Sequence, residues 1–308
     1  MATNALKLKE LSAEKVPQKL KAQYYFDFQA HPFAHSALFA GKNARSVVDA
    51  IAGIHDYLAA AVPGLVGKAK VAAKKTQADF PGRSAGKFTV LLEEGAVFEP
   101  GFVVGGSDSS ATLLVSRGAK VLGANLWLDS GAVVVGEDTV VEPGVGLKGP
   151  TVVGRKNEIR SGAYFRGDVI TGDGCTLRGE LKNTVLMDKA NFPHPSYLGD
   201  SACGHETHFG NQATSANLGI FAVLARDPIV LEVDGQDYDL GRPKLGIIMG
   251  DYSQVGCNSV SDPGTFLAPW TIVYQLSRLN KGFYGPNELL KNKPMEHGII
   301  ERSPLRRK

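Results

Sequence analysis

The sequence repeats with a period of six residues over a long central stretch. An apolar or small residue recurs at every sixth position, in the order Val135, Val141, Leu147, Val153, Ile159, Phe165, Thr171 and Leu177. An α-helix needs a period near 3.6 and an amphipathic strand a period of 2, so neither explains the pattern. Six residues supply one short strand and one corner of a chain wound into a three-sided column, with the repeated residue pointing inward. The spacing therefore predicts a parallel β-helix.

The same period continues on both sides of this stretch. Its further positions are Leu92, Phe98 and Val104, then Leu122, Leu128 and Val134, then Leu186, Phe192 and Leu198, and finally Met249, Val255, Ser261, Leu267 and Val273. An all-β sandwich is the alternative, but its turns recur every 8–12 residues. At roughly 18 residues per coil, we expect about seven to nine coils.

The regions around the repeat suggest how the chain is divided. We expect an N-terminal helical segment and linker over residues 1–83, the β-helix over 84–276 with a hairpin insertion at 217–245, and a C-terminal cap with a basic tail over 277–308. Apolar residues at helical spacing predict an amphipathic helix over 44–62. Asp234-Gly235 is typical of a hairpin turn, and Pro286 at a first turn predicts a C-terminal helix over 286–293. The predicted fold is all-β, a β-helix with short helical segments at both ends.

Composition excludes several classes of protein. The net charge of +3 is weak and the one cationic run is the C-terminal Arg306-Arg307-Lys308, so nucleic-acid binding is not expected. No apolar run reaches the roughly 18 residues that span a bilayer, so no membrane association is expected either. Cys175, Cys203 and Cys257 form no CxxC motif, and we interpret them as reduced residues of a cytoplasmic protein.

Three segments resemble a known enzyme family. They read LKNTVLMDKANFPHPSYLGD from Leu181, HETHFGNQATSANLG from His205 and GRPKLGIIMGD from Gly241. They are similar to the β-helix domain of the bifunctional UDP-N-acetylglucosamine pyrophosphorylase / glucosamine-1-phosphate acetyltransferases, and more so to that of the related sugar-1-phosphate nucleotidylyltransferases. The Gly-rich nucleotide-binding loop of the pyrophosphorylase domain is missing, so nucleotidyl transfer is not implied.

This resemblance implies a left-handed β-helix that assembles into a homotrimer. It implies CoA-dependent acyl transfer, with acetyl-CoA or another acyl-CoA as co-substrate, to the amine of a sugar 1-phosphate or nucleotide-sugar precursor. No metal is expected.

The resemblance also carries site residues over to this sequence. His194 occupies the position of the catalytic histidine, whose imidazole takes the proton of the sugar amine. The implied substrate-binding residues are Arg166, Lys182, Tyr197, His208, Asn217 and Lys244. Arg166 lies two residues closer to Lys182 than in the family, and His208 replaces an asparagine that positions the sugar. QATSANLG at 212–219 also departs from the family's pattern, which indicates a different sugar or acyl group.

Two alternatives remain open at this point. One is a trimeric β-helix without catalysis, serving as a scaffold or regulatory module. The other is a metalloenzyme, because the sequence from Phe165 to Val169, FRGDV, resembles the "LRGDV" of the gamma-class carbonic anhydrases, in which three histidines bind a metal. His194, His205 and His208 would be the candidate ligands, but no histidine lies between Asp168 and His194, where that family has its first ligand.

Overall fold

The structure is a computed structural model that describes residues 5–40, 44–108, 110–220, 225–292 and 300–304. It contains two compact units, a central unit of residues Ile54–Pro195 and a flanking unit of residues Met1–Gly53 and Ser196–Lys308. Both are built mainly from short parallel strands, which form about 11 coils within the described residues, more than the seven to nine predicted. The predicted all-β fold class, a parallel β-helix, is confirmed.

The described helices and strands have the following bounds. The α-helices are α1 (Val47–Ala52) and α2 (Ile54–Lys68), and 3₁₀ turns cover Leu8–Glu10, Ala13–Lys15, Gln18–Leu20, Ala22–Tyr24, Ser36–Phe39 and Gln77–Asp79. The first strands are β1 (Leu6–Lys7), β2 (Val71–Thr76), β3 (Ser84–Ala85), β4 (Thr89–Glu93), β5 (Val97–Val104), β6 (Thr112–Val115), β7 (Lys120–Trp127), β8 (Val133–Val135), β9 (Val140–Val141), β10 (Gly146–Lys148), β11 (Thr151–Val153), β12 (Glu158–Ile159), β13 (Tyr164–Phe165), β14 (Val169–Thr171), β15 (Thr176–Leu177), β16 (Glu180–Leu186) and β17 (Asn191–Phe192). The later strands are β18 (Tyr197–Cys203), β19 (His208–Phe209), β20 (Thr214–Ser215), β21 (Val230–Val233), β22 (Gln236–Asp239), β23 (Ile247–Met249), β24 (Gln254–Val255), β25 (Val260–Ser261), β26 (Thr265–Leu267), β27 (Ile272–Val273), β28 (Arg278–Leu279), β29 (Gly282–Tyr284), β30 (Glu288–Asn292) and β31 (Ile300–Pro304).

Strand register in the central unit gives the length of each coil. Leu147 of β10 pairs with Phe165 of β13, 18 residues later. Phe165 pairs in turn with Leu181 of β16, only 16 residues later. One coil is therefore two residues shorter than its neighbour, which accounts for the short sequence spacing between Arg166 and Lys182.

Helix α2 packs on the strands of the central unit. Three outward-pointing residues, Val152, Ile170 and Val185, are apolar and buried. Ile54, Leu58 and Val62 of α2 are buried too, and α2 contacts β11 and β16. Burying these apolar side chains removes them from water, which is the main gain from packing a helix on the strands.

The helix predicted over 44–62 is confirmed, with different bounds. It begins at Val47, is divided at Gly53 and runs on to Lys68. At its start the Ser46 hydroxyl accepts from the Asp49 amide, while the Asp49 carboxylate accepts from the Ser46 amide. This capping box satisfies amides that the first turn leaves without partners.

The linker predicted after this helix is wrong for residues 71–76. They form β2, which pairs antiparallel with β4. The strand was missed because most of its side chains are exposed, so the sequence shows no alternation of apolar and polar residues.

In the flanking unit, the N-terminal segment packs against the side of the coils. Tyr25 and Phe26 are buried, and the Tyr25 ring lies 5.8 Å from the ring of Phe266 in β26. The segment consists of 3₁₀ turns, and its backbone is anchored by the Asp27 amide, which donates to the Asp251 carboxylate at 2.8 Å.

The hairpin predicted around Asp234-Gly235 is confirmed. Strands β21 and β22 pair antiparallel, and β1 adds to β22 as a third strand. Asp234 and Gly235 have φ values of 51° and 84°, which a tight hairpin turn requires of both central residues.

The helix predicted over 286–293 is wrong. Residues Glu288–Asn292 form β30, in which Leu289 and Leu290 pair with Ile272 and Val273 of β27. Pairing with the preceding coil satisfies this backbone and buries Leu290, so the repeat continues where a cap was expected. Arg306, Arg307 and Lys308 of the predicted basic tail lie outside the described residues.

Two further sequence expectations can be compared with the structure. Cys175, Cys203 and Cys257 are all free thiols, as predicted, and the first two are buried. Within the described residues, no helix has the length and apolar character needed to cross a membrane.

Candidate active site

The predicted phosphate-binding residues of the central unit lie side by side. Phe165 pairs with Leu181, and the amide of Arg166 donates to the Leu181 carbonyl at 2.8 Å. The next position of the register places Arg166 next to Lys182, at the strand spacing of about 4.8 Å. Both side chains leave the same face, because each follows an inward-pointing residue.

Arg166 also has an acidic neighbour. Its Nη1 donates to Oε1 of Glu180 at 2.6 Å, and both side chains are about two-fifths exposed. An ion pair at this level of exposure contributes little to stability. Glu180 therefore orients the guanidinium while leaving the surface cationic around Arg166 and Lys182.

His194 lies at an exposed corner of the same unit. It follows β17 by two residues and ends the coil that begins with β16, which carries Lys182. An exposed imidazole can exchange protons with a bound substrate and with solvent, as a general base must. The central unit thus contains the predicted base and two of the predicted cations.

In the flanking unit, Tyr197 and Asn217 come together over Gly199. A Cβ atom added to Gly199 would lie 2.5 Å from the Tyr197 hydroxyl and 2.9 Å from Nδ2 of Asn217. A side chain at this position would displace these two polar groups.

Asn217 is held by a buried charged pair that the sequence analysis did not single out. Its Nδ2 donates to Oδ2 of Asp200 at 2.5 Å, and Nη2 of Arg242 donates to Oδ1 of the same carboxylate at 3.0 Å. The side chains of Asp200 and Arg242 are only 3% and 18% exposed. Asp200 and Arg242 lie within the YLGD and GRPKLG segments. A charged residue next to apolar residues was the sequence signal that could have identified them.

Burial sets the electrostatics of this pair. Desolvation lowers the pKa of Arg242, and the Asp200 carboxylate opposes that shift. Nη1 of Arg242 is buried and has no hydrogen-bond partner among the described residues. Asn217 is therefore positioned by a buried network that contains the Asp200–Arg242 ion pair.

Lys244 lies beside this network, whereas His208 does not. Lys244 is exposed and forms an isolated antiparallel bridge with Leu218, the neighbour of Asn217. His208 is in β19, whose partner is Gln254 of β24, a different ladder from the β18–β20 pairing of Tyr197. The flanking unit thus groups Tyr197, Asn217 and Lys244 and leaves His208 on another face.

A cavity of about 900 Å³ in the flanking unit is lined by sequence neighbours of Asn217 and Lys244. Its walls are mainly apolar and include Leu218, Pro243, Ile229 and Val230. A cavity with these walls suits a ligand with an apolar arm.

The histidines considered as metal ligands have other surroundings. His205 stacks on His31, with ring centroids 4.1 Å apart and planes 5° apart, and Nε2 of His31 lies 2.9 Å from the Tyr252 hydroxyl. Among the residues that the structure describes, no group of three or more His, Cys, Asp or Glu side chains could hold a metal ion.

Comparison with known proteins gives partial matches. No family model matches the sequence. A bifunctional sugar-1-phosphate nucleotidylyltransferase/acetyltransferase from Sulfurisphaera tokodaii is 28% identical over 182 residues, which cover 53% of this chain and 44% of that protein. The bifunctional protein GlmU of Synechococcus elongatus is 26% identical over 162 residues, covering 51% of this chain and 30% of that protein. These relatives confirm the resemblance found in the sequence, and the chain matches less than half of their length.

Solved structures give a more distant likeness. The polySia-specific acetyltransferase NeuO is 11% identical, with a TM-score of 0.29 over 71% of this chain and 86% of that one. A UDP-N-acetylglucosamine acyltransferase from Arabidopsis is also 11% identical, with a TM-score of 0.29 over 73% of each chain. Scores this low add nothing to the description of the site.

Proposed function

We propose that this protein transfers an acyl group from an acyl-CoA, acetyl-CoA in the first instance, to the amine of a sugar 1-phosphate. The observation that carries the proposal is that Arg166 lies next to Lys182 of the neighbouring coil, and that the coil of Lys182 ends at the exposed His194. Sequence relatives named as acetyltransferases support the same reaction class. We further propose that the protein acts as a homotrimer in the cytoplasm and needs no metal.

The proposed chemistry assigns a role to each group. Arg166 and Lys182 bind the phosphate dianion, the first through its fork of donors and the second as a point charge. His194 takes a proton from the sugar amine as its nitrogen attacks the thioester carbon. The carbon–sulfur bond then breaks, and the proton leaves with CoA as its thiol. Positioning of the two substrates supplies much of the rate.

The test is thiol release from acetyl-CoA in the presence of glucosamine 1-phosphate. We expect release with the natural sequence, and we expect His194→Asn to lower kcat by about 100-fold or more with little change in KM, the usual effect of losing a general base. His55→Asn is the matched control, because His55 is also exposed but lies on α2, paired with Asp168 at 2.7 Å.

Other results would favour the alternatives. No release with any amino-sugar phosphate, together with a trimeric mass, would favour the scaffold. Stoichiometric zinc or iron by elemental analysis, with activity lost on chelation, would favour the metalloenzyme. Equal losses in His194→Asn and His55→Asn would contradict the role assigned to His194.

A further inference from the structure

One face of the central unit carries an unbroken column of large cationic and aromatic side chains. Trp127 pairs with Lys148, and Leu147, Phe165 and Leu181 pair in succession on the next coils. Each residue that follows one of these three shares the column, which reads Trp127, Lys148, Arg166 and Lys182. Of these four residues, Arg166 and Lys182 are implied as site residues by the resemblance, and Lys148 and Trp127 are additional.

An aromatic pair lies at one end of this column. The rings of Trp127 and Tyr164 are 6.0 Å apart in an edge-to-face arrangement, and Tyr164 is 39% exposed. Gly146 lies beneath them, and a Cβ atom there would lie 2.9 Å from the Tyr164 ring and 3.3 Å from the Trp127 ring. The missing side chain lets both rings lie against the backbone, next to Lys148.

The spacing of the cations indicates the ligand. Lys148, Arg166 and Lys182 follow one another at about 4.8 Å per coil, so they span about 10 Å along the column. A single phosphate group is reached by two neighbouring cations, whereas a diphosphate engages all three. Glu180 contributes one negative charge beside Arg166, against the three positive charges of Lys148, Arg166 and Lys182.

We propose that this column binds a nucleoside diphosphate group, with the base against Trp127 and Tyr164 and the diphosphate along Lys148, Arg166 and Lys182. Aromatic side chains accept any base by stacking, and cations at successive positions bind the phosphates. The inference rests on the proposed function, since it makes the acceptor a sugar nucleotide.

The same group has a second source, because coenzyme A also contains a nucleoside diphosphate. The experiment therefore measures binding of UDP-glucose, coenzyme A and glucosamine 1-phosphate to the full chain by calorimetry, without turnover. We expect UDP-glucose to bind at least 10-fold more tightly than glucosamine 1-phosphate. Lys148→Gln and Tyr164→Leu should each weaken UDP-glucose binding about 10-fold and leave glucosamine 1-phosphate within about twofold.

Lys120→Gln is the matched control. Lys120 is exposed in the same unit but belongs to the ladder of Val97 and Val140, away from the column. If Lys148→Gln weakens coenzyme A instead of UDP-glucose, the column binds the nucleotide of the acyl donor. If neither nucleotide depends on Lys148 and Tyr164, or if Lys120→Gln has the same effect, the proposal is overturned.

The binding measurement is independent of the acyl-transfer assay. Nucleotide binding that depends on Lys148, without release of CoA in the assay, would retain the column and reject the proposed reaction. Release with glucosamine 1-phosphate, without nucleotide binding, would do the reverse.

Discussion

Single residues in this protein show how burial changes the contribution of a charge to stability. Arg242 and Arg278 each contact an aspartate at 3.0 Å in the flanking unit. The partner of Arg242 is 3% exposed and the partner of Arg278 is 33% exposed. The N···O distance is the same in the two pairs, so they compare a buried ion pair with an exposed one.

We expect Arg242→Met to lower the free energy of unfolding by about 3 kcal/mol, because it leaves the Asp200 carboxylate buried without its cation. Arg278→Met should cost less than about 1 kcal/mol, since water solvates Asp262 once the guanidinium is gone. Urea denaturation of both variants measures the difference. Equal losses would mean that Asp200 is reached by water in solution.

Burial acts on the thiols in a similar way. Desolvation raises the pKa of Cys175 to about 12, and it raises that of Cys203 still further. Both therefore remain protonated at neutral pH, and they are unsuited to nucleophilic chemistry. The pKa of Cys175 is near 9 in the unfolded chain and about 12 in the folded one. Its contribution to the free energy of unfolding is therefore complete below pH 9 and is lost as the pH rises to about 12. The reactive groups of the proposed site are its imidazole and its cations.

At the scale of elements, each unit covers an outward apolar column with residues from outside its coils. In the flanking unit the covering element is the N-terminal segment, in which Tyr25 is 1% exposed and contacts Phe266. The Tyr25 hydroxyl donates to the Lys19 carbonyl at 2.6 Å. Burial also raises the pKa of this hydroxyl, so it stays a donor.

Two substitutions at Tyr25 separate the contribution of its hydrogen bond to stability from that of its packing. We expect Tyr25→Phe to cost about 1 kcal/mol, because it removes one hydrogen bond, and Tyr25→Ala to cost about 3–5 kcal/mol, because it opens a cavity over Phe266. Thermal and urea unfolding measure both. A loss below 1 kcal/mol for Tyr25→Ala would show that the segment does not stabilise the coils.

Elements with a clear sequence pattern could be predicted, and elements without one could not. Inward residues such as Leu147 and Phe165 recur at a fixed interval, so the coils were visible as a period. Strand β2 and strand β30 have no such signal, since one is exposed on both faces and the other follows a proline typical of a helix start. Neighbours across coils were harder still: Lys148 lies next to Arg166 only because of the register, which depends on the length of each coil.

The candidate site was predicted to the same extent. The resemblance identified His194, Arg166 and Lys182, and the structure places the last two side by side. The resemblance did not identify the Asp200–Arg242 pair, because the partners are 42 residues apart and the hairpin insertion separates them. Contacts that close over an insertion depend on tertiary packing, which no local pattern records.

At the scale of the whole molecule, the exposed apolar residues suggest how copies of the chain associate. In the flanking unit Val260, Tyr274 and Leu276 are 42%, 46% and 65% exposed. Ser259 donates to the Tyr274 carbonyl and Leu276 donates to the Cys257 carbonyl, so these residues belong to neighbouring coils. An apolar surface of this kind is typical of contacts between subunits.

We expect light scattering to give three times the chain mass of 32.8 kDa, the mass of the proposed homotrimer, which is a closed cyclic assembly. Leu276→Asp should shift the mass towards a single chain, because it places a charge in a surface that association would bury, while the circular dichroism spectrum stays unchanged. A single-chain mass for the natural sequence at micromolar concentration would contradict the trimer. A trimeric Leu276→Asp variant would instead move the contact to another surface, and dilution that lowers mass and activity together would tie the assembly to the site.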